Sequence, residues 1–176
     1  DTSMLNRTRL FALATLAVPA VAAAQSPVAT AFRDDAKEKA KNLIAAVEEM
    51  PADKFGFKPT PASMAFGTVV THLAQGNDFL CAAIGGVKAP TRTKVADTDS
   101  KAVLVARLKE TFAFCETALA SLDDSKLSEP LPMFGGKSMS RAAVLTLTTG
   151  DWADHYSQAS VYLRLNGQIP PTAKKP

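Results

Sequence analysis

Histidine and cysteine are scarce in this chain, with two of each among 176 residues, and there is a single tryptophan. The two cysteines, Cys81 and Cys115, are far apart and show no Cys-x-x-Cys spacing, so a dithiol redox centre is excluded. No stretch interleaves Lys or Arg with aromatic residues, which removes the usual signature of nucleic-acid binding. No glycine motif of the nucleotide-binding kind occurs, no internal repeat is present, and no segment alternates apolar and polar residues as a half-buried strand would. What remains is ordinary for one globular domain: 47% hydrophobic and 21% charged residues, with a formal net charge of +3. That small positive balance reads as a solvated surface.

The N-terminus reads as a leader. Met4 is the expected start, with Asp1 to Ser3 an upstream scar. Arg7 and Arg9 form a positive n-region, Leu10 to Val18 a short apolar region, and Ala22-Ala23-Ala24 a small-residue cleavage site before Gln25. The apolar run is shorter than the roughly 20 residues a membrane span takes. The expectation is a secretory signal peptide over residues 1–24 and one domain over 25–176, periplasmic or secreted, with no stable membrane span after cleavage. Cleavage removes Asp1, Arg7 and Arg9, leaving +2 of the formal +3.

Export gives the cysteines a meaning. In an oxidising compartment an even count suggests a disulfide. The alternatives are two buried thiols acting as small apolar residues, or intermolecular pairing in an envelope scaffold.

Four amphipathic segments follow the leader. Phe32, Ala36, Ala40, Leu43, Val47 and Met50 recur at helical spacing from about Val28, and Pro51 stops the pattern. Pro59 and Pro61 forbid a helix interior in the linker, where Phe55 and Phe57 are expected to tuck under the bundle. A second helix over about Ala65 to Ile84 carries Phe66, Val70, Leu73, Leu80 and Ile84 and ends at Gly85-Gly86. A third follows the N-cap-rich Asp97–Ser100 cluster, with Leu104, Leu108, Phe112, Cys115, Leu119 and Leu122 on one stripe, and stops at Asp123-Asp124-Ser125. A polar loop with Pro130, Pro132 and Gly135-Gly136 leads to the longest helix, from near Ser138 or Ser140 to Leu165. Asn166-Gly167 caps it, Pro170-Pro171 bars its continuation, and the Lys174-Lys175 tail is expected to lack fixed structure. The fold class is therefore all-α: a four-helix bundle, either up-down or with crossovers.

Chemistry concentrates at three residues. Asp151 and His155 lie four apart and share a helix face, at the edge of the stripe that holds Trp152 and Tyr156. His72 borders the stripe of the second helix. Two imidazoles and a carboxylate suit zinc, nickel, manganese or iron and leave coordination positions open. The structural alternative is a hydrogen-bonded Asp151–His155 pair, with His72 bonded to a carbonyl or to Asn77. Asp154 points about 100° away from His155 on a helix and reads as surface.

At these residues the chain resembles the DinB family, helical bundles grouped with YfiT-like metal-dependent hydrolases and thiol transferases. The resemblance covers the whole region after the leader. It rests on Phe57-Lys58-Pro59-Thr60-Pro61 followed by Phe66-Gly67 and His72, and on Asp154-His155-Tyr156-Ser157-Gln158 with Tyr162-Leu163-Arg164-Leu165-Asn166-Gly167 and Pro170-Pro171. It implies a metal set of three histidines, one on the second helix and a His-x-x-x-His pair on the last. His72 and His155 match two of these, and Asp151 stands at the third. The function implied is a metal-dependent hydrolase or thiol transferase acting on a small molecule. The contrasting expectation is a non-catalytic, stress-associated or ligand-binding bundle without metal, dimerising with a second copy.

Overall fold

The computed structural model describes residues 26–175, so the leader reading lies outside the described residues. Four helices make the body: α1 (Pro27–Glu49), α2 (Phe66–Gly85), α3 (Lys101–Leu119) and α4 (Arg141–Leu165). Every apolar position of the four stripes is buried except Ala40 and Tyr156, which are half-buried.

Contacts at the helix ends give the directions. Gly67 and Gly85 of α2 lie so close to α3 that a Cβ on either would collide with a backbone carbonyl, of Asp97 and Ala118 respectively. α2 and α3 thus run parallel. The Lys101 ammonium donates to the Glu48 and Met50 carbonyls, and Arg33 donates to the Leu122 carbonyl, so α1 is antiparallel to α3. Arg141 at the start of α4 donates to the Ile84 carbonyl, and Tyr162 near its end donates to Met64, so α4 is antiparallel to α2. α1 and α2 each pack against α3 and α4. The order is up-down-down-up, which is the crossover form of the bundle.

The parallel pair needs a long return. Residues 86–100 climb back along the bundle, a path of roughly 30 Å for a twenty-residue helix and within reach of fifteen extended residues. Arg92 fastens this strap midway, gripping the Asp78 carboxylate at 2.6 and 3.0 Å. Asp78 in turn holds the guanidinium pKa above its ordinary value. Arg107 adds a bond to the Thr93 carbonyl at 2.9 Å.

Helix ends are satisfied partly by distant residues. Ser100 and Ser140 accept from the amides of Val103 and Ala143, the expected N-cap bonds. Ser26 makes no such local bond. Instead Asp124, from the turn after α3, accepts from the amides of Val28 (3.1 Å) and Ala29 (2.8 Å), while Ser26 Oγ accepts from the Asp124 amide (3.2 Å). Asp123-Asp124-Ser125, expected only to break the third helix, thus also caps the first. α2 also lacks a side-chain cap, and the Phe55 and Phe57 carbonyls take the Gly67 and Phe66 amides. Those two phenylalanines meet Phe66 and Tyr162 edge-on, so the linker is packed as expected.

Two local expectations are corrected. The loop before α4 holds a small antiparallel hairpin, β1 (Pro130–Pro132) with β2 (Ser138–Ser140), Leu131 facing Met139. Strands of three residues are too short to leave a period-two signal, and prolines suit such an edge. The C-terminal tail is held: buried Pro170 leads into a turn, Tyr156 bonds Thr172, and Lys174 pairs with Glu49 at 2.6 Å.

Cys81 and Cys115 join α2 to α3 in a disulfide, with Cα atoms 5.1 Å apart. An intramolecular bridge removes the reading of an intermolecular scaffold.

Two substitutions test these contributions to stability. Asp124→Ala is expected to cost about 1–2 kcal/mol in denaturant unfolding, the range for a lost N-cap; an unchanged midpoint would mean α1 needs no distant cap. Replacing both cysteines by serine removes a cross-link spanning 34 residues. It is expected to lower stability by about 3–4 kcal/mol on the chain-entropy account, and reductant should then have no further effect on the variant's melting.

Candidate metal centre

α2 and α4 run antiparallel, and each presents one stripe to the other. On α2 the stripe is His72, Gly76 and Phe79; on α4 it is Leu147, Asp151 and Asp154, with His155 beside them. The spacing of three and four residues places each set on one helical face.

His72, Asp151 and His155 converge. One ligand atom from each lies within 4.8 Å of the other two. The imidazoles stack with centroids 5.3 Å apart. His72 is exposed, Asp151 half-buried and His155 only 4% exposed. Bond lengths of about 2.0–2.2 Å let two donors on one ion stand at most about 4.4 Å apart.

The tautomer of His155 follows from its neighbours. Its Nδ1 lies 2.8 Å from the Asp151 backbone carbonyl and 3.4 Å from that residue's Oδ1. A carbonyl can only accept, so Nδ1 carries the proton and donates along the helix. In the neutral ring Nε2 then holds a lone pair. That atom is buried and has no hydrogen-bond partner among the described residues. A buried polar atom left unpaired costs roughly 1–3 kcal/mol, a cost that a coordinated ion removes. Because the backbone takes the shorter contact, the Asp151 carboxylate is not consumed by its histidine neighbour. The donor set fits a divalent ion.

Of the two alternative partners for His72, Asn77 is engaged elsewhere. Asn77 accepts from the Trp152 indole N–H at 2.7 Å and donates to Thr111 Oγ1 at 3.2 Å. Its amide is therefore committed to the bundle interior, where Trp152 also packs against Phe32 and Phe112. Trp152 and Tyr162 are buried core residues as expected. Asp154 is exposed and accepts from Gln158, as a surface residue would, yet it also lines the groove that opens from the cluster.

That groove has a volume of about 560 Å³. Phe79 of α2 and Phe134 at the hairpin tip stack over it with centroids 4.7 Å apart. Gly76 and Gly150 sit on its walls. They were legible as glycines inside helical patterns, an oddity that asks for a reason; Phe134 gave no sequence signal.

No helix among the described residues is long and apolar enough to cross a membrane. No curated protein matches the chain. Among solved structures, a DinB-like protein from Bacillus subtilis superposes with a TM-score of 0.66 at 18% identity, covering 82% of this chain and 99% of that one. A DinB-like protein from Bacillus cereus gives 0.67 at 15% identity, covering 81% and 95%. A variant of a mycothiol-dependent maleylpyruvate isomerase gives 0.60 at 11% identity, covering 73% and 59%. These likenesses establish a shared helical-bundle fold. The sequence profile of the DinB superfamily matches residues 36–159, a span that runs from α1 through His72 to Asp151 and His155. With the bundle and the profile in agreement over most of its length, the chain belongs to the DinB superfamily.

Proposed function

We propose that His72, Asp151 and His155 hold one divalent cation (zinc, nickel, manganese or iron) and that the chain is an exported, metal-dependent hydrolase or thiol transferase of a small molecule. One observation carries this reading: the buried Nε2 of His155, without a partner among the described residues and fixed as an acceptor by the Nδ1 bond to Asp151. An ion bound there supplies Lewis-acid activation, lowering the pKa of a coordinated water or thiol. The protein's own part is arrangement. His155 is fixed by burial, Asp151 adds negative charge, and exposed His72 completes the set from the facing helix. Two imidazoles and one carboxylate leave positions free for a substrate group.

A low-molecular-weight thiol is the first co-substrate class to try. The support is the mycothiol dependence of one protein that shares this fold. Export is supported by the leader pattern and by the Cys81–Cys115 bridge, which suits an oxidising compartment.

Exposed His72 can be removed with little cost to the fold. His72→Ala is expected to abolish zinc uptake, read by elemental analysis, with an unchanged helical circular dichroism spectrum. Asp151→Asn keeps the shape and removes the charge. It should weaken zinc by more than the roughly 10–100-fold that loss of an outer-shell partner costs. Unaltered stoichiometry in the first variant and unaltered affinity in the second would leave a bundle that binds no metal at this cluster.

A further inference from the structure

Gly76 and Gly150 are unlike the two glycines that seat α2 on α3. A Cβ at Gly67 or Gly85 would strike backbone, whereas among the described residues one at Gly150 would meet nothing within 4 Å, and one at Gly76 only Asp151 Oδ2 at 3.9 Å. Helix packing therefore does not require glycine at either place. Each lies inside a helix, where glycine is less favourable than alanine. What both do is leave open the groove between α2 and α4 beside the metal cluster.

The far wall of that groove is aromatic. Phe134 is 59% exposed and Phe79 40%, large apolar surfaces left at the mouth of a cleft. The hairpin that carries Phe134 is anchored at its base. Leu131 and Met133 are buried, the Met133 amide donates to Lys137, and Arg141, also buried, donates to Glu129 at 2.7 Å. Phe134 is thus presented by a fixed element, with Gly135 and Gly136 at positive φ turning the chain behind it.

Charge narrows the occupant further. With a divalent ion on neutral His72 and His155, the Asp151 and Asp154 carboxylates that line the groove balance the ion's charge. The groove then favours a neutral molecule over an anion.

We infer that this groove is a recognition subsite, in which Phe79, Phe134 and Leu147 grip the planar apolar body of a small neutral molecule whose polar head reaches the His72–Asp151–His155 cluster. The inference rests on the metal reading above and adds a substrate class to it. A ring entering between Phe134 and Leu147 replaces exposed apolar surface by aromatic contact, and the glycine-lined stretch leaves room for the head to pass.

Two metal-binding probes with the same head separate the claims. Acetohydroxamic acid and benzohydroxamic acid, both neutral molecules in solution near neutral pH, are titrated into the zinc-loaded protein, with zinc stoichiometry measured in parallel. Benzohydroxamic acid is expected to bind about ten- to thirtyfold more tightly, the effect of one buried aromatic ring offset by ordering. Phe134→Ala, at an exposed position, should bring the ratio to within about threefold while zinc stoichiometry stays the same. Gly150→Val, which fills the groove from the other wall, should do so too. Equal ratios in native and variant proteins would overturn the subsite and leave the metal centre standing. Failure of the native protein to take up zinc would overturn the metal reading, and with it a subsite that depends on an anchored head.

Discussion

The Asn77 side chain holds the centre of the bundle. Its carbonyl oxygen accepts from Trp152 on α4 and its amide donates to Thr111 on α3, so one buried group of α2 ties three helices. An amide at 1% exposure has no water to turn to, which makes these bonds a condition of the packing. They also fix register. Asn77 directly follows Gly76 and lies five residues after His72, while Trp152 directly follows Asp151. A slip of α2 along α4 would break the Trp152 bond and separate the metal cluster at once. The disulfide one turn further along, at Cys81, resists the same slip against α3.

The site and the subsite are consequences of that fixed register. Antiparallel α2 and α4 face each other with the polar residues, His72 and Asp151, at one end of the cleft and the apolar ones, Phe79 and Leu147, at the other. Trp152 points into the core and Asp151 toward the groove because successive helical residues turn about 100°. The same turn that buries the tryptophan delivers the carboxylate. The crossover strap, pinned by Arg92 to Asp78, is what permits α2 and α3 to lie parallel and leaves the α2–α4 face to the hairpin.

Much of this was legible in the sequence, for stated reasons. The helical stripes were readable because burial imposes a period of 3.6, and the pairing of Asp151 with His155 because four residues make about one turn. The approach of His72 was readable only as a candidate, since facing helices are set by tertiary packing. The crossover order is not legible, because it depends on which helix ends meet. Asp124 as the distant cap of α1, Arg141 at the end of α2 and Phe134 over the groove were not readable. Each acts across long sequence separations through a single side chain, with no periodicity to announce it. The Asn77 network was half visible: an asparagine on an apolar stripe must find partners, but the sequence does not name them.

The proposed centre requires an ion between His72, Asp151 and His155. X-ray absorption at the zinc edge of the loaded protein reads this directly. The prediction is a first shell of nitrogen and oxygen at about 2.0–2.2 Å, with outer-shell scattering from two imidazoles. A spectrum lacking imidazole scattering would contradict it.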